Sequence, residues 1–391
     1  MRVLILNDHA APVGGAEVLT LALRDELCRR GHDARVFASR AVGEGPVEYS
    51  CFGTTSRLRT VNRTANPRAY RSLRGVLRSF RPDVVHVRMF MTQLSPLVLP
   101  LLRKLPSLYH AAWYELICPT GLKLLPTGEI CRQPAGRACH QCLSPHAWTV
   151  LMIQRRLLER WRGVFDLFVA NSDAMRRRLE EYGIHPTTRV WNGVPRRPAR
   201  PSLEGPPLAA YAGRLSHEKG LATLIEAFAE VARRRPDARL LVMGDGPERA
   251  RLERMAAERG VSDRITWTRH RPRHEVEQAL DAAWVQVVPS LLEEPFGLAV
   301  AEGMMRGTAV VATELGGPVE LIGPSGGGLL VPPNDPARLA EALAALLGDR
   351  ERTEALGAAG RAWAFERLSI EACTDQFLTL YQEIADRRKV A

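Results

Sequence analysis

The chain has 391 residues, 46% hydrophobic and 25% charged, a composition that suits a globular protein with two full cores. No apolar run approaches the ~18–20 residues a membrane span needs, so a helical membrane protein is excluded. The net charge of +11 is uneven: residues 1–195 hold 28 Lys plus Arg against 15 Asp plus Glu, and residues 196–391 hold 26 against 28.

Met1 runs straight into the strand-like Val3–Leu6, with no signal-peptide pattern before it, so a cytoplasmic protein is expected. A loop through Gly14-Gly15 leads to a helix from about Ala16 to Arg30, and Ala34–Ala38 reads as the next strand. Further strands are predicted at Asp83–Val87, Ser107–Ala111, Phe165–Ala170 and Arg189–Trp191. A Pro-rich stretch from Pro195 to Pro207 reads as a linker, and the charge balance changes there. The pattern then restarts with strand Leu208–Ala212, the turn Gly213–Gly220 and a helix to about Arg234. Strands follow at Arg239–Met243, Arg264–Thr268, Trp284–Val288 and Ala309–Ala312, and the last ~40 residues look helical. Strand–helix alternation, twice over, predicts an α/β protein of two doubly wound domains, 1–195 and 196–391, with the last helix packing back on the first.

The basic residues of the first half come in runs: Arg57, Arg59, Arg63, Arg68, Arg71, Arg74, Arg78 and Arg81, then Arg155–Arg162, then Arg176–Arg178. Such a field attracts an anionic partner, such as an acidic membrane surface or a phosphorylated acceptor. No nucleic-acid recognition motif accompanies it, so nucleic acid is not expected. Solvated helix faces are the plain alternative.

Two glutamates, Glu294 and Glu302, stand eight positions apart across Pro295-Phe296-Gly297-Leu298, where a buried strand gives way to a helix. That spacing is a little over two helical turns, so both carboxylates can face one way and accept from the hydroxyls of a ribose or hexose. Arg214 and Lys219 follow the first strand of the second half, where α/β sheets place ligands, and together suit a diphosphate. Gly14-Gly15 lets the backbone approach an anion at a helix N-terminus, although it is not a full dinucleotide fingerprint. No D-x-D is present, which fits cationic side chains rather than a bridging metal at the diphosphate.

In order and spacing the chain resembles the retaining glycosyltransferases of family 4, the E-x7-E type. The resemblance runs through Gly14-Gly15, Asn192-Gly193-Val194, Gly213-Arg214…Lys219-Gly220, Gly244-Asp245-Gly246-Pro247, Pro289-Ser290…Glu294…Glu302 and Gly316-Gly317…Glu320. It implies the GT-B fold, two Rossmann-like domains facing a cleft, and hexosyl transfer from a UDP- or GDP-sugar to a hydroxyl acceptor, with no cofactor for transfer. By the same resemblance Arg214 and Lys219 hold the diphosphate, Glu302 the ribose, and Glu294 with amides near Phe296, Gly297 and Leu298 the donor sugar. Gly15 would approach the diphosphate from the other domain, and the base would stack near His270 and Arg271. Catalysis would fall to Glu294, Arg214, Lys219 and an acceptor-side histidine. Six residues past Pro106, where the family often carries that histidine, this chain has Ala112; His110 either substitutes or is a packed histidine. An anionic or lipid-linked acceptor and peripheral contact with the inner membrane face through the basic domain are expected. A catalytically idle subunit and a same-fold phosphorylase are the rival readings.

Cys118, Cys131, Cys139 and Cys142 fall within one Gly- and Pro-rich loop, 113–147, and the last pair is a C-x2-C. A structural zinc on four thiolates is the expectation, with iron–sulfur, disulfides or free thiols as alternatives.

Overall fold

Short apolar, β-branched runs form parallel strands in both halves of the chain. The structure, a computed structural model, describes residues 1–56, 59–269 and 271–390. It divides into two units: unit 1 takes Met1–Pro195 together with the C-terminal stretch from Ile370, and unit 2 takes Arg196–Ser369.

Unit 1 runs β1 (Arg2–His9), α1 (Gly15–Arg29), β2 (Asp33–Ser39), β3 (Tyr49–Cys51), α2 (Arg59–Thr64), α3 (Pro67–Phe80), β4 (Val84–Val87), β5 (Ser107–Ala111), α4 (Pro145–Trp161), β6 (Leu167–Ala170), α5 (Asp173–Glu181) and β7 (Thr187–Arg189). Its seven strands lie in the order β3-β2-β1-β4-β5-β6-β7, and every pairing is parallel.

Unit 2 runs β8 (Leu208–Ala212), α6 (Leu221–Arg234), β9 (Arg239–Met243), α7 (Arg249–Glu258), β10 (Ile265–Thr268), α8 (Arg273–Asp281), β11 (Val285–Val288), α9 (Leu298–Arg306), β12 (Ala309–Thr313), α10 (Gly317–Ser325), β13 (Gly328–Val331), α11 (Pro336–Gly348) and α12 (Arg350–Arg367). The order here is β10-β9-β8-β11-β12-β13, again all parallel.

Side-chain alternation sorts the unit 1 core into two layers. Leu4 and Leu6 pack with Phe37, Val85, Val87 and Tyr109 on one face. Val3 and Ile5 pack on the other with Leu23 and Leu27 of α1 and with Phe377, Tyr381 and Ile384 of the last helix, α13 (Ile370–Val390). That helix was counted by sequence with residues 196–391 but expected to pack back on the first domain; its apolar stripe completes unit 1. The strand expected at Arg189–Trp191 lies two residues earlier, because β6 pairs Phe168 with Thr187 and Ala170 with Arg189.

Candidate functional site

In unit 2 the chain leaves β8 toward β9 and leaves β11 toward β12, in opposite directions across the sheet. The carboxyl ends of β8 and β11 therefore flank a topological switch point, the place where open α/β sheets bind ligands. Two loops meet there. The first is Gly213–Gly220, ending in a short 3-10 turn at His217–Lys219. Its last residue, Gly220, adopts φ 68°, and a Cβ there would lie 1.9 Å from the Pro289 carbonyl oxygen, so only glycine lets the loops close this tightly.

The second loop, Pro289–Gly297, carries the motif glutamate. Lys219 Nζ donates to Glu294 Oε1 at 2.6 Å, and the Ser290 hydroxyl donates to the same oxygen at 2.6 Å. The side chains of Lys219 and Glu294 are only 20% and 11% exposed, so the pair is largely withdrawn from solvent. The Glu294 backbone bridges to Gly316, and its carbonyl accepts from Gly317 N at 2.8 Å, which fixes the loop against the start of α10. Phe296 is buried beneath it. Gly297, at φ 86°, caps α9 and leaves that helix's first amides to follow the motif.

Arg214 projects outward at 59% exposure and pairs with Glu218 at 2.6 Å. Burial alone would raise the Glu218 acid, but the Ser216 hydroxyl, the backbone and Arg214 hold it below the usual carboxylate range. The two cations are thus each tethered by a carboxylate, Arg214 by Glu218 and Lys219 by Glu294. Ser290 and Glu218 were not assigned from sequence, although both lie inside the quoted motifs.

Glu302, on α9, has one oxygen taken by Arg273 Nη2 at 2.5 Å, and Arg273 also reaches Glu277 at 2.7 Å. Arg271 is exposed and lies 3.4 Å from Glu275. His270 lies outside the described residues. The structure therefore brings Arg214, Lys219 and Glu294 onto two touching loops and ties Glu302 to the start of α8.

In unit 1, Gly15 opens α1 after β1, with Gly14 as the cap. Nearby carboxyl ends carry buried polar atoms with no hydrogen-bond partner: Asn7 Oδ1 and His9 Nδ1 on β1, Arg88 Nε after β4 and Asn171 Oδ1 after β6. Arg88 is 2% exposed and reaches Asn192 at 3.3 Å. His110 is a packed histidine. It is 1% exposed, sits 3.2 Å from His86, and its ring centroid is 4.9 Å from that of Phe377. His86 in turn meets the Tyr381 hydroxyl at 2.6 Å. Burial, then Arg88, pushes both imidazoles well below their ordinary range. The strand turns His110 into the layer covered by α13, which argues against the acceptor-side role expected for it.

The four loop cysteines all line one small cavity of about 20 Å³, together with Leu124, Leu125 and Leu143. None is in a disulfide. Among the described residues no group of three or more His, Cys, Asp or Glu is placed as a ready metal-ligand set.

Residues 13–197 match the family model described as Glycosyltransferase Family 4, and residues 196–363 match that described as Glycosyl transferases group 1. The two halves are glycosyltransferase domains. The chain is 34% identical over 186 residues to a 2-deoxystreptamine glucosyltransferase of Streptomyces kanamyceticus, covering 48% of each. It is 38% identical over 174 residues to a D-inositol 3-phosphate glycosyltransferase of Nocardia farcinica, covering 41% of this chain and 38% of that one. The chain thus matches about half or less of these relatives' length. Among solved structures, a sucrose-phosphate synthase from Thermosynechococcus elongatus superimposes with a TM-score of 0.76 at 23% identity, covering 98% of this chain and 99% of that one. Anabaena Alr3699/HepE in complex with UDP-glucose gives 0.68 at 20% identity, with 100% of both chains covered. The fold is that of the GT-B glycosyltransferases.

Proposed function

We propose that this glycosyltransferase moves a hexosyl group from a UDP- or GDP-sugar to a hydroxyl acceptor with retention of configuration. The observation that carries the reading is the Lys219–Glu294–Ser290 cluster beside Arg214 at the unit 2 switch point. A diphosphate entering there competes with Glu294 for Lys219 and with Glu218 for Arg214. Both cations then stabilise charge that grows on the leaving diphosphate. Glu294, released, accepts from hydroxyls of the donor sugar, and the amides after Phe296 add donors.

In this reading the carboxylate of the cluster, Glu294, is engaged with sugar hydroxyls, and no nucleophile is assigned among the described residues. The reading is therefore front-face transfer: the anomeric carbon–diphosphate bond breaks, the bond to the acceptor oxygen forms on the same face, and the acceptor proton passes to the departing phosphate. Transfer itself calls on no metal. The partnerless polar atoms of Asn7, His9, Arg88 and Asn171 support unit 1 as the acceptor side. The cited relatives carry names specifying 2-deoxystreptamine and D-inositol 3-phosphate, which are ring acceptors rich in polar groups. A polysaccharide, glycolipid or glycosylated natural product is the product class.

The basic face of unit 1 supports peripheral membrane contact at the cytoplasmic surface. Among the described residues no helix is long and apolar enough to cross a membrane. Thermal-shift titration with UDP, GDP and their hexose conjugates tests the donor reading. Ligand at 100 times its Kd stabilises by about 2.7 kcal/mol. No shift with any of them overturns it. Donor turnover that requires inorganic phosphate would favour the phosphorylase reading, and binding without turnover the idle-subunit reading.

A further inference from the structure

Residues 117–144 of unit 1 contain no α-helix, only the isolated Leu124–Ile130 bridge and a 3-10 turn at Arg137–Gln141, yet the loop is held in a defined course. Lys123 lies at its centre. Its side chain is 1% exposed, and its ammonium donates to the Gln133 carbonyl oxygen at 3.0 Å and the Tyr182 hydroxyl at 2.5 Å. Among the described residues it meets no carboxylate, which leaves a buried positive charge without a negative one. Arg155 of α4 reaches into the same region and donates to the Leu116 carbonyl oxygen at 2.7 Å, two residues before Cys118.

The cavity wall carries Cys118, Cys131, Cys139 and Cys142, with an otherwise largely apolar lining. The tight turn Gly136–Cys142 holds the C-x2-C pair together. Cys139 N donates to the Gly136 carbonyl oxygen, Gly136 N points at Cys139 Sγ at 3.5 Å, and Cys142 N donates to the Cys139 carbonyl oxygen. An amide aimed at sulfur is a donor that a metal-bound sulfur can use. The other two cysteines come from the segment before it, and Cys131 N is tied to the Lys123 carbonyl oxygen at 2.7 Å.

We infer that the 113–147 loop is a structural zinc site with Cys118, Cys131, Cys139 and Cys142 as its four ligands. Binding displaces four thiol protons and closes the side chains onto one tetrahedral centre, with no open position for substrate. The resulting complex is a dianion, and the Lys123 ammonium and Arg155 guanidinium are placed to offset it. The metal replaces the core this loop is too short and too rich in glycine and proline to build.

Full-length protein purified under reducing conditions, without added metal, tests the site. Metal analysis should find about one zinc per chain, released when a mercurial blocks the thiols. Cys139→Ser with Cys142→Ser should lower that content at least tenfold, while Cys28→Ser, an exposed cysteine elsewhere in unit 1, should leave it unchanged. Should the double variant fail to fold, chelation of the wild-type protein gives a second reading: cleavage by limited proteolysis should concentrate within 113–147. Zinc near zero with four freely alkylated loop thiols overturns the inference, as does zinc retained in the folded double variant. Iron with visible absorbance would also overturn it in favour of a cluster. None of these measurements depends on transferase activity, so they stand apart from the donor-site reading.

Discussion

Lys219 and Glu294 are 75 residues apart in sequence and 2.6 Å apart in space. Lys219→Ala and Glu294→Ala should each lower donor turnover by about 10²–10³-fold, the scale for losing one preorganised transition-state contact. The double variant should lose less than the product of the two, because each single change already breaks the shared pair. Donor hydrolysis across UDP- and GDP-hexoses measures this, and wild-type turnover in either single variant removes that residue from the site. A different residue governs pH response. Glu115, bonded to the Tyr109 hydroxyl at 2.7 Å, has its acid pushed up from 4.5 to about 8, by burial first and then by Asp8. Between those values the folded state keeps a proton that the unfolded state releases, so stability falls as pH rises through that window. Melting curves of wild type and Glu115→Gln should therefore diverge from about pH 5 to 8, with the wild type losing ground; parallel curves would clear Glu115 as the source. The residue types at the unit 2 cluster were legible from the sequence, but their partners were not, since nothing local says that Lys219 reaches Glu294 rather than Glu218 or Asp245; Glu115 was not singled out at all.

Helix α3 shows what can be read at the level of elements. Asn66 caps it by accepting from Ala69 N, Pro67 starts it, and Arg81 ends it in the left-handed region. Its buried stripe is Ala69, Leu73 and Phe80. The other side shows Arg68, Arg71, Arg74 and Arg78 exposed, and no acidic residue occurs between Glu48 and Asp83. Most helices of this protein neutralise their arginines with a carboxylate three or four positions away; α3 has none. Replacing Arg71, Arg74 and Arg78 with Ser should weaken binding to phosphatidylglycerol-containing vesicles by at least tenfold and flatten its salt dependence, at roughly 1 kcal/mol per cation. Equal binding of wild type to neutral and anionic vesicles would end that idea. The long apolar strands were plain in the sequence because their pattern is strong. β3 and β13 were not, being three and four residues long and stabilised by their neighbours in the sheet. His110 was ambiguous for a related reason: which face of β5 is covered depends on α13, some 260 residues later.

For the whole molecule, the point of interest is that unit 1 is discontinuous. Phe377, Tyr381 and Ile384 of α13 fill the layer over Val3, Ile5 and Val84. Phe377→Ala should cost about 3–5 kcal/mol, and the loss should appear in the unfolding of unit 1 rather than unit 2. A probe in each unit, such as Trp161 and Trp284, would show this; equal losses at both would mean the two units unfold as one. The boundary near Pro195 was legible from proline content and charge, and a return of the last helix to the first domain was expected, but which residues of α13 fill the core was not, since α13 reads from sequence as one more amphipathic helix.

That return sets an order on synthesis. Residues 1–195 leave the ribosome with one layer of their core open to water, and the helix that covers it is made only after unit 2. At typical elongation rates the wait, while all of unit 2 is translated, is on the order of ten to thirty seconds. Throughout it Val3, Ile5, Leu23 and Leu27 offer an apolar groove to whatever else is in the cell. Unit 2, by contrast, is contiguous and can finish folding first. The nascent chain therefore passes through a state in which unit 2 is complete and one layer of unit 1 is still uncovered, so a stop codon anywhere after Ser369 and before Phe377 would freeze it there.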